Sequence, residues 1–185
     1  MIKTRMWVQT EGNFLILLAL MLLLLPIQWV FAAVMAAVFH ELCHYVAIRL
    51  LGGNVYGLRF GFGGAKMEVE PMPPWKELIA ALAGPVGSAL LVLLVKQMPR
   101  LAVCGLVHCV FNLLPLFPLD GGRILRGFFG MILPDERAEQ VFGISQQVLI
   151  WGMGAACVFA AFRWGILPAL LGVFLICRQR RKRTV

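Results

Sequence analysis

Three ionisable side chains, His40, Glu41 and His44, stand inside the apolar run "AAVFHELCHYVAIRLLGG". A polar group in hydrocarbon costs several kcal/mol unless it is paired or coordinated, so such a cluster points to a function. The order His-Glu-x-x-His supplies one. On a helix, positions i and i+4 share a face, so both imidazoles can hold one Zn²⁺ while the Glu between them acts as general base on a water. A catalytic zinc usually takes three protein ligands and keeps one open position. Asp120, in "FNLLPLFPLDGGR", is the best third ligand: Pro115 and Pro118 break an apolar helix there, and Gly121 with Gly122 allows a tight backbone. His108 competes for that place, against the plainer reading of a packed or hydrogen-bonded core histidine.

The elements that must position these groups lie in a membrane. The chain has 185 residues, 61% hydrophobic and 14% charged, with mean hydropathy +0.85. Soluble domains run nearer about 45–50% apolar and about 25% charged, so a water-soluble core is excluded. The formal net charge of +8 collects at the chain ends and at breaks between apolar runs. That is the pattern of helix flanks at an anionic bilayer face, and nucleic acid is not expected as a partner. The five cysteines, Cys43, Cys104, Cys109, Cys157 and Cys177, all fall in apolar runs and none forms a CxxC pair. They read as small buried hydrophobes. The first apolar run lacks a small-residue cleavage site, so an uncleaved first span is expected.

A spanning helix needs about 20 apolar residues. Candidate spans are Phe14–Trp29, Val30–Leu51, Leu78–Val95, Leu101–Pro118, Val141–Phe162 and Trp164–Cys177. The expected fold is therefore an all-α integral membrane protein of about six transmembrane helices, five being the alternative because only Arg163 separates the last two. Residues 1–185 are expected to form a single polytopic domain with a catalytic core at about 30–123. With both termini in the cytoplasm, the external turns hold Lys96, Arg100 and Arg163, three of 17 basic residues. This asymmetry supports that orientation in the cell membrane.

Between the second and third spans, "NVYGLRFGFGGAKMEVEP" reads with a period of two. Gly63 and Gly64 between alternating runs predict a membrane-associated β-hairpin. The expected register pairs Phe60 with Met67, Leu58 with Val69 and Arg59 with Glu68, giving one apolar face and one opposite-charge pair.

The "HELCH" motif with "NLLPLFPLDGG" resembles the site-2 protease family, integral-membrane zinc metalloproteases that cut substrates within or near the bilayer. "AGPVGS", ending at Ser88, resembles the family's small-residue Gly-Pro element. The resemblance implies that His40, His44 and Asp120 bind one zinc per chain, that Glu41 is the catalytic base and that Asn112 lines the site. It also implies a membrane-embedded or membrane-tethered substrate, a hairpin that presents an edge to it, and room for a membrane-protein regulator. No PDZ or CBS domain is read in the sequence. The compact form is most similar to the family's sporulation members, which process a membrane-tethered pro-sigma factor.

Two other classes are weighed against this expectation. A non-proteolytic zinc-binding scaffold would keep the ligands without needing Glu41. A metal transporter would need polar groups across several helices, whereas the fifth and sixth spans offer only Ser145, Gln146 and Gln147 near one end.

Overall fold

The computed structural model describes residues 7–10, 12–61 and 64–164. In chain order these form β1 (Trp7–Thr10), α1 (Gly12–Leu24), α2 (Ile27–Leu50), β2 (Val55–Gly61), β3 (Gly64–Val69), α3 (Pro74–Leu90), α4 (Pro99–Asn112), α5 (Asp120–Ile132) and α6 (Asp135–Trp164). A 3-10 turn, Leu91–Leu94, prolongs α3. Among the described residues three helices are long and apolar enough to cross a bilayer: Ile27–Leu50, Pro74–Leu94 and Asp135–Phe162. The protein is mostly helical, with a small sheet.

The expected boundaries shift where proline intervenes. The first apolar run is a 13-residue helix ending at Leu24, because Pro26 lacks an N–H and restricts the residue before it. The fourth stops at Asn112 after 14 residues, short of Pro115. Both are shorter than the roughly 20 residues a span needs. The expected sixth span lies outside the described residues, so among the described residues the count is three rather than six. Helix α5 was not foreseen: its four glycines and two arginines give little apolar signal.

The helices bury small and polar residues and turn their large apolar ones outward. On α2 the buried stripe contains Ala32, Ala36, His40, His44 and Ile48, spaced every four residues, while Phe31, Val38, Leu42 and Val46 are exposed. On α3 it is Ala80, Ala81, Gly84, Pro85, Gly87 and Ser88. Small residues let backbones approach closely where lipid outside removes the usual hydrophobic drive. A Cβ on Gly87 would fall on the Cys43 side chain, and one on Gly105 of α4 would lie 2.8 Å from both Leu91 Cβ and the Ser88 carbonyl. Helix α3 thus packs against α2, α4 and α5, which puts it at the centre of the fold.

The sheet has order β1-β2-β3. Strands β2 and β3 pair antiparallel as expected, but the register differs by two residues: Leu58 faces Met67, Phe60 faces Ala65 and Gly61 faces Gly64. Only residues 62 and 63 lie between the paired ends, so the connection falls one residue earlier than the Gly-Gly pair suggested. A shift of two conserves the faces of a strand. Arg59 therefore sits opposite Lys66 yet still reaches Glu68, with Nη2 3.1 Å from Oε1. Strand β1 was also unexpected. It pairs parallel to β2, Trp7 with Gly57 through Thr10 with Phe60, and the Arg59 guanidinium lies 5.7 Å from the Trp7 ring centre.

Candidate metal centre

His40 and His44 share the buried stripe of α2, and Asp120 opens α5 behind the extended residue Leu119. An acidic residue in the first turn suits the positive end of a helix. The three side chains converge although Asp120 is distant in sequence. Asp120 Oδ2 lies 2.9 Å from His40 Nε2 and 3.0 Å from His44 Nε2, and the two nitrogens are 3.1 Å apart. All three residues are at least 94% buried, at 2%, 3% and 6% exposure.

The outer nitrogens fix how the rings present themselves. His44 Nδ1 donates to the Ala80 carbonyl at 2.7 Å. A carbonyl only accepts, so Nδ1 carries a proton, and Nε2 is the nitrogen turned toward Asp120. His40 Nδ1 is 2.8 Å from Ser88 Oγ. Two imidazole nitrogens and a carboxylate oxygen so close together, out of water, must be bridged by shared protons or by a cation. Donor atoms around a tetrahedral zinc, bonded at about 2.0–2.1 Å, stand about 3.3 Å apart. The observed triangle is slightly tighter, and two imidazoles with a carboxylate are ligands zinc accepts. The residues present fit a zinc ion. Burial alone would lift the Asp120 carboxyl, but its hydrogen bonds with His40 and His44 outweigh that and hold it well below the usual carboxylate range. It is ionised, as a ligand must be.

Glycine makes the approach of α3 to this cluster possible. A Cβ on Gly84 would lie 2.7 Å from His44 Cδ2 and closer still to Nε2 and Cε1. Gly121 and Gly122 do the same for the loop that carries Asp120, where any Cβ would meet the backbone of residues 113–117. Arg123 lies one turn beyond Asp120, its Nη1 3.6 Å from Oδ1, which leaves Oδ2 to the histidines.

The remaining expected residues stand around the triangle. Glu41, partly buried, makes no hydrogen bond or ion pair among the described residues, and the charges nearest it are those of His44, His40, Asp120 and Arg123. His108 is outside the donor group; its ring packs edge-on against His40 with centres 5.1 Å apart. Asn112 ends α4, and its amide nitrogen donates to the His108 carbonyl at 3.0 Å. Sequence reading missed Ser88 as the partner of His40, Gly84 as the surface under His44, and Arg123. A serine and a glycine in an apolar "AGPVGSAL" run were the available signal.

Residues 95–153 match Peptidase family M50, a region that includes Asp120 and its loop. Two curated relatives align as well. One is sll0528 of Synechocystis sp., assigned as a zinc metalloprotease, 34% identical over 122 residues. The other is the zinc metalloprotease MJ0392 of Methanocaldococcus jannaschii, 34% identical over 106 residues. The alignments cover 57% and 49% of this chain. Over these stretches the chain is similar to Peptidase family M50 and to zinc metalloproteases. It spans about a third of the length of these relatives, 31% of each. The solved site-2 protease of Methanocaldococcus jannaschii has the same fold: TM-score 0.65 at 22% identity, covering 95% of this chain and 90% of that one. Three helices among the described residues are long and apolar enough to cross a bilayer, in keeping with a multi-pass membrane protein.

Proposed function

We propose that this chain is an intramembrane zinc metalloprotease that hydrolyses peptide bonds of membrane-embedded or membrane-tethered proteins. The convergence of His40 Nε2, His44 Nε2 and Asp120 Oδ2 within 3.1 Å, with a carboxylate at the intervening Glu41, carries the reading. His40, His44 and Asp120 would hold the ion. When bound, zinc acts as a Lewis acid and lowers the pKa of water from 15.7 to about 7. Glu41 would take a proton from the attacking water and hand it to the departing amine. Asn112, its NH₂ engaged by His108, offers its Oδ1 to the substrate beside the site. A scaffold without proteolysis would give Glu41 no task.

A helical substrate hides its amides in intrahelical bonds and must unwind before it is cut. Strand addition to an exposed sheet edge offers replacement bonds. Strand β2 is paired on both sides, which leaves β1 and β3 as the edges among the described residues, and β3, the longer at six residues against four, is taken as the receiving edge. The narrower reading is a substrate class of membrane-tethered pro-sigma factors in sporulation, with both termini of the protease in the cytoplasm; it rests on the sequence resemblance and the charge asymmetry.

The deciding experiment compares wild type with Glu41→Gln on a transmembrane model substrate, alongside metal content. The variant is expected to keep its zinc and lose at least about 100-fold in cleavage, since general bases contribute about 10²–10⁴. Substantial turnover with Gln at this position would reject Glu41 as the base. If wild type binds zinc yet cleaves nothing, the scaffold reading stands.

A further inference from the structure

Gln146 lies on α6, a helix that contributes no donor to the metal centre. The α6 residues buried against the protein are Ala138, Phe142 and Gln146, one turn apart each. Gln146 is only 6% exposed, and both ends of its amide are bonded to backbone. Its Oε1 accepts from the Phe117 N–H at 2.8 Å and its Nε2 donates to the Pro115 carbonyl at 3.0 Å. One turn earlier, the Phe142 ring packs edge-on against Phe117, with centres 6.2 Å apart and planes at 89°.

The clamped segment leads straight into the third donor. Pro115 and Pro118 have no N–H to give, so side chains must help hold this backbone. Leu119 N–H bonds Leu116 O at 2.8 Å, and Arg123 N–H bonds Leu119 O at 3.1 Å, which ties the first turn of α5 to the loop. From the other side that turn presses directly on the loop: a Cβ on Gly122 would lie 2.7 Å from Phe117 Cα, and one on Gly121 would lie 2.6 Å from the Leu113 carbonyl carbon. The backbone of 115–117 is thus fixed between α6 and α5. The turn that carries Asp120 is therefore packed directly on the Phe117 backbone.

We propose that Gln146 is a positioning residue of the metal centre: by clamping Pro115 and Phe117 it sets where Asp120 Oδ2 stands relative to His40 and His44. Helix α6 thereby controls the third donor without touching it, and the functional unit reaches beyond residue 123 to α6. The inference rests on the reading of the cluster as a metal site.

The test uses the full chain in detergent as wild type, Asp120→Ala, Gln146→Met and Gln146→Glu. Each is titrated with Zn²⁺ and Co²⁺ against a chelator, with the Co²⁺ absorption spectrum recorded and amide exchange followed over residues 113–119. Gln146→Met conserves size and apolar packing but removes both bonds. It is expected to weaken metal binding about 10–100-fold, as loss of a ligand's supporting contact does, to alter the Co²⁺ spectrum and to speed exchange of the loop. Gln146→Glu keeps the acceptor for Phe117 and is expected to lose less. Wild-type affinity in Gln146→Met together with faster loop exchange overturns the proposal, and so does weakened binding with the loop unchanged. Should the Met variant not fold, the Glu variant decides, with unchanged affinity again overturning it. If Asp120→Ala binds metal as tightly as wild type, the reading of the site itself has failed, an outcome distinct from failure of the clamp.

Discussion

Ser88 Oγ stands 2.8 Å from His40 Nδ1, while the opposite nitrogen of the same ring, Nε2, stands 2.9 Å from Asp120 Oδ2. One imidazole is therefore held between α3 and α5, and the fully buried serine determines which way it turns. Replacing Ser88 by alanine removes the orienting contact and leaves a buried nitrogen without it. Metal affinity should drop about 10–100-fold, the usual effect of losing such an outer contact, while the helix content of the protein is unchanged. A chelator titration with circular dichroism checks both parts; unaltered affinity would mean that packing alone orients His40.

Gly84→Ala tests the close approach of α3 to α2. In an exposed helix the change favours folding by up to about 1 kcal/mol. Here the added carbon would fall on the His44 imidazole. The ring must move away from Asp120, so metal content should fall sharply without a matching loss of secondary structure. Full zinc occupancy in this variant would show that the two helices separate easily at this point.

The donor set is tested by a pair of variants. Asp120→Ala should lower zinc occupancy, whereas His108→Ala should leave it nearly full, because His108 packs on the His40 ring at 5.1 Å and is not one of the three converging donors. Metal analysis of the purified proteins distinguishes the two. The opposite ranking would make His108 the third ligand.

Strand addition predicts a position-dependent effect of proline on β3. Successive amides of an antiparallel strand point alternately toward the partner and away from it. Lys66→Pro and Met67→Pro therefore remove one inward and one outward donor. The outward one should slow cleavage of a transmembrane substrate with zinc content intact. Gly57 on β2 is a poor probe, because any Cβ there would meet the Trp7 ring. Normal cleavage by both β3 variants would make the sheet a shield or a plain connection.

How much of this was legible in advance depends on whether the information was local. His40, Glu41 and His44 lie within one helical turn and a fraction, so residue type and the 3.6-residue period suffice to place two imidazoles on one face. The alternation around Arg59 and Glu68 likewise predicted paired strands, and a two-residue error in register left that ion pair in reach at 3.1 Å, because strand faces repeat every second residue. Asp120 was a candidate by its chemistry alone; its distance from the histidines follows from how α3 lets α2 and α5 converge. Ser88, Gly84 and Gln146 were visible only as small or polar residues in apolar runs. Their partners are an imidazole on another helix and two backbone groups in a proline-rich loop. The sequence by itself determined an apolar chain with two histidines on one helix face and a glutamate between them, since burial cost and helix periodicity act over a few residues. Only the tertiary structure decided which oxygen joins the pair, which hydroxyl turns the ring and which helix steadies the loop, because those are contacts between segments whose separation the local pattern does not encode.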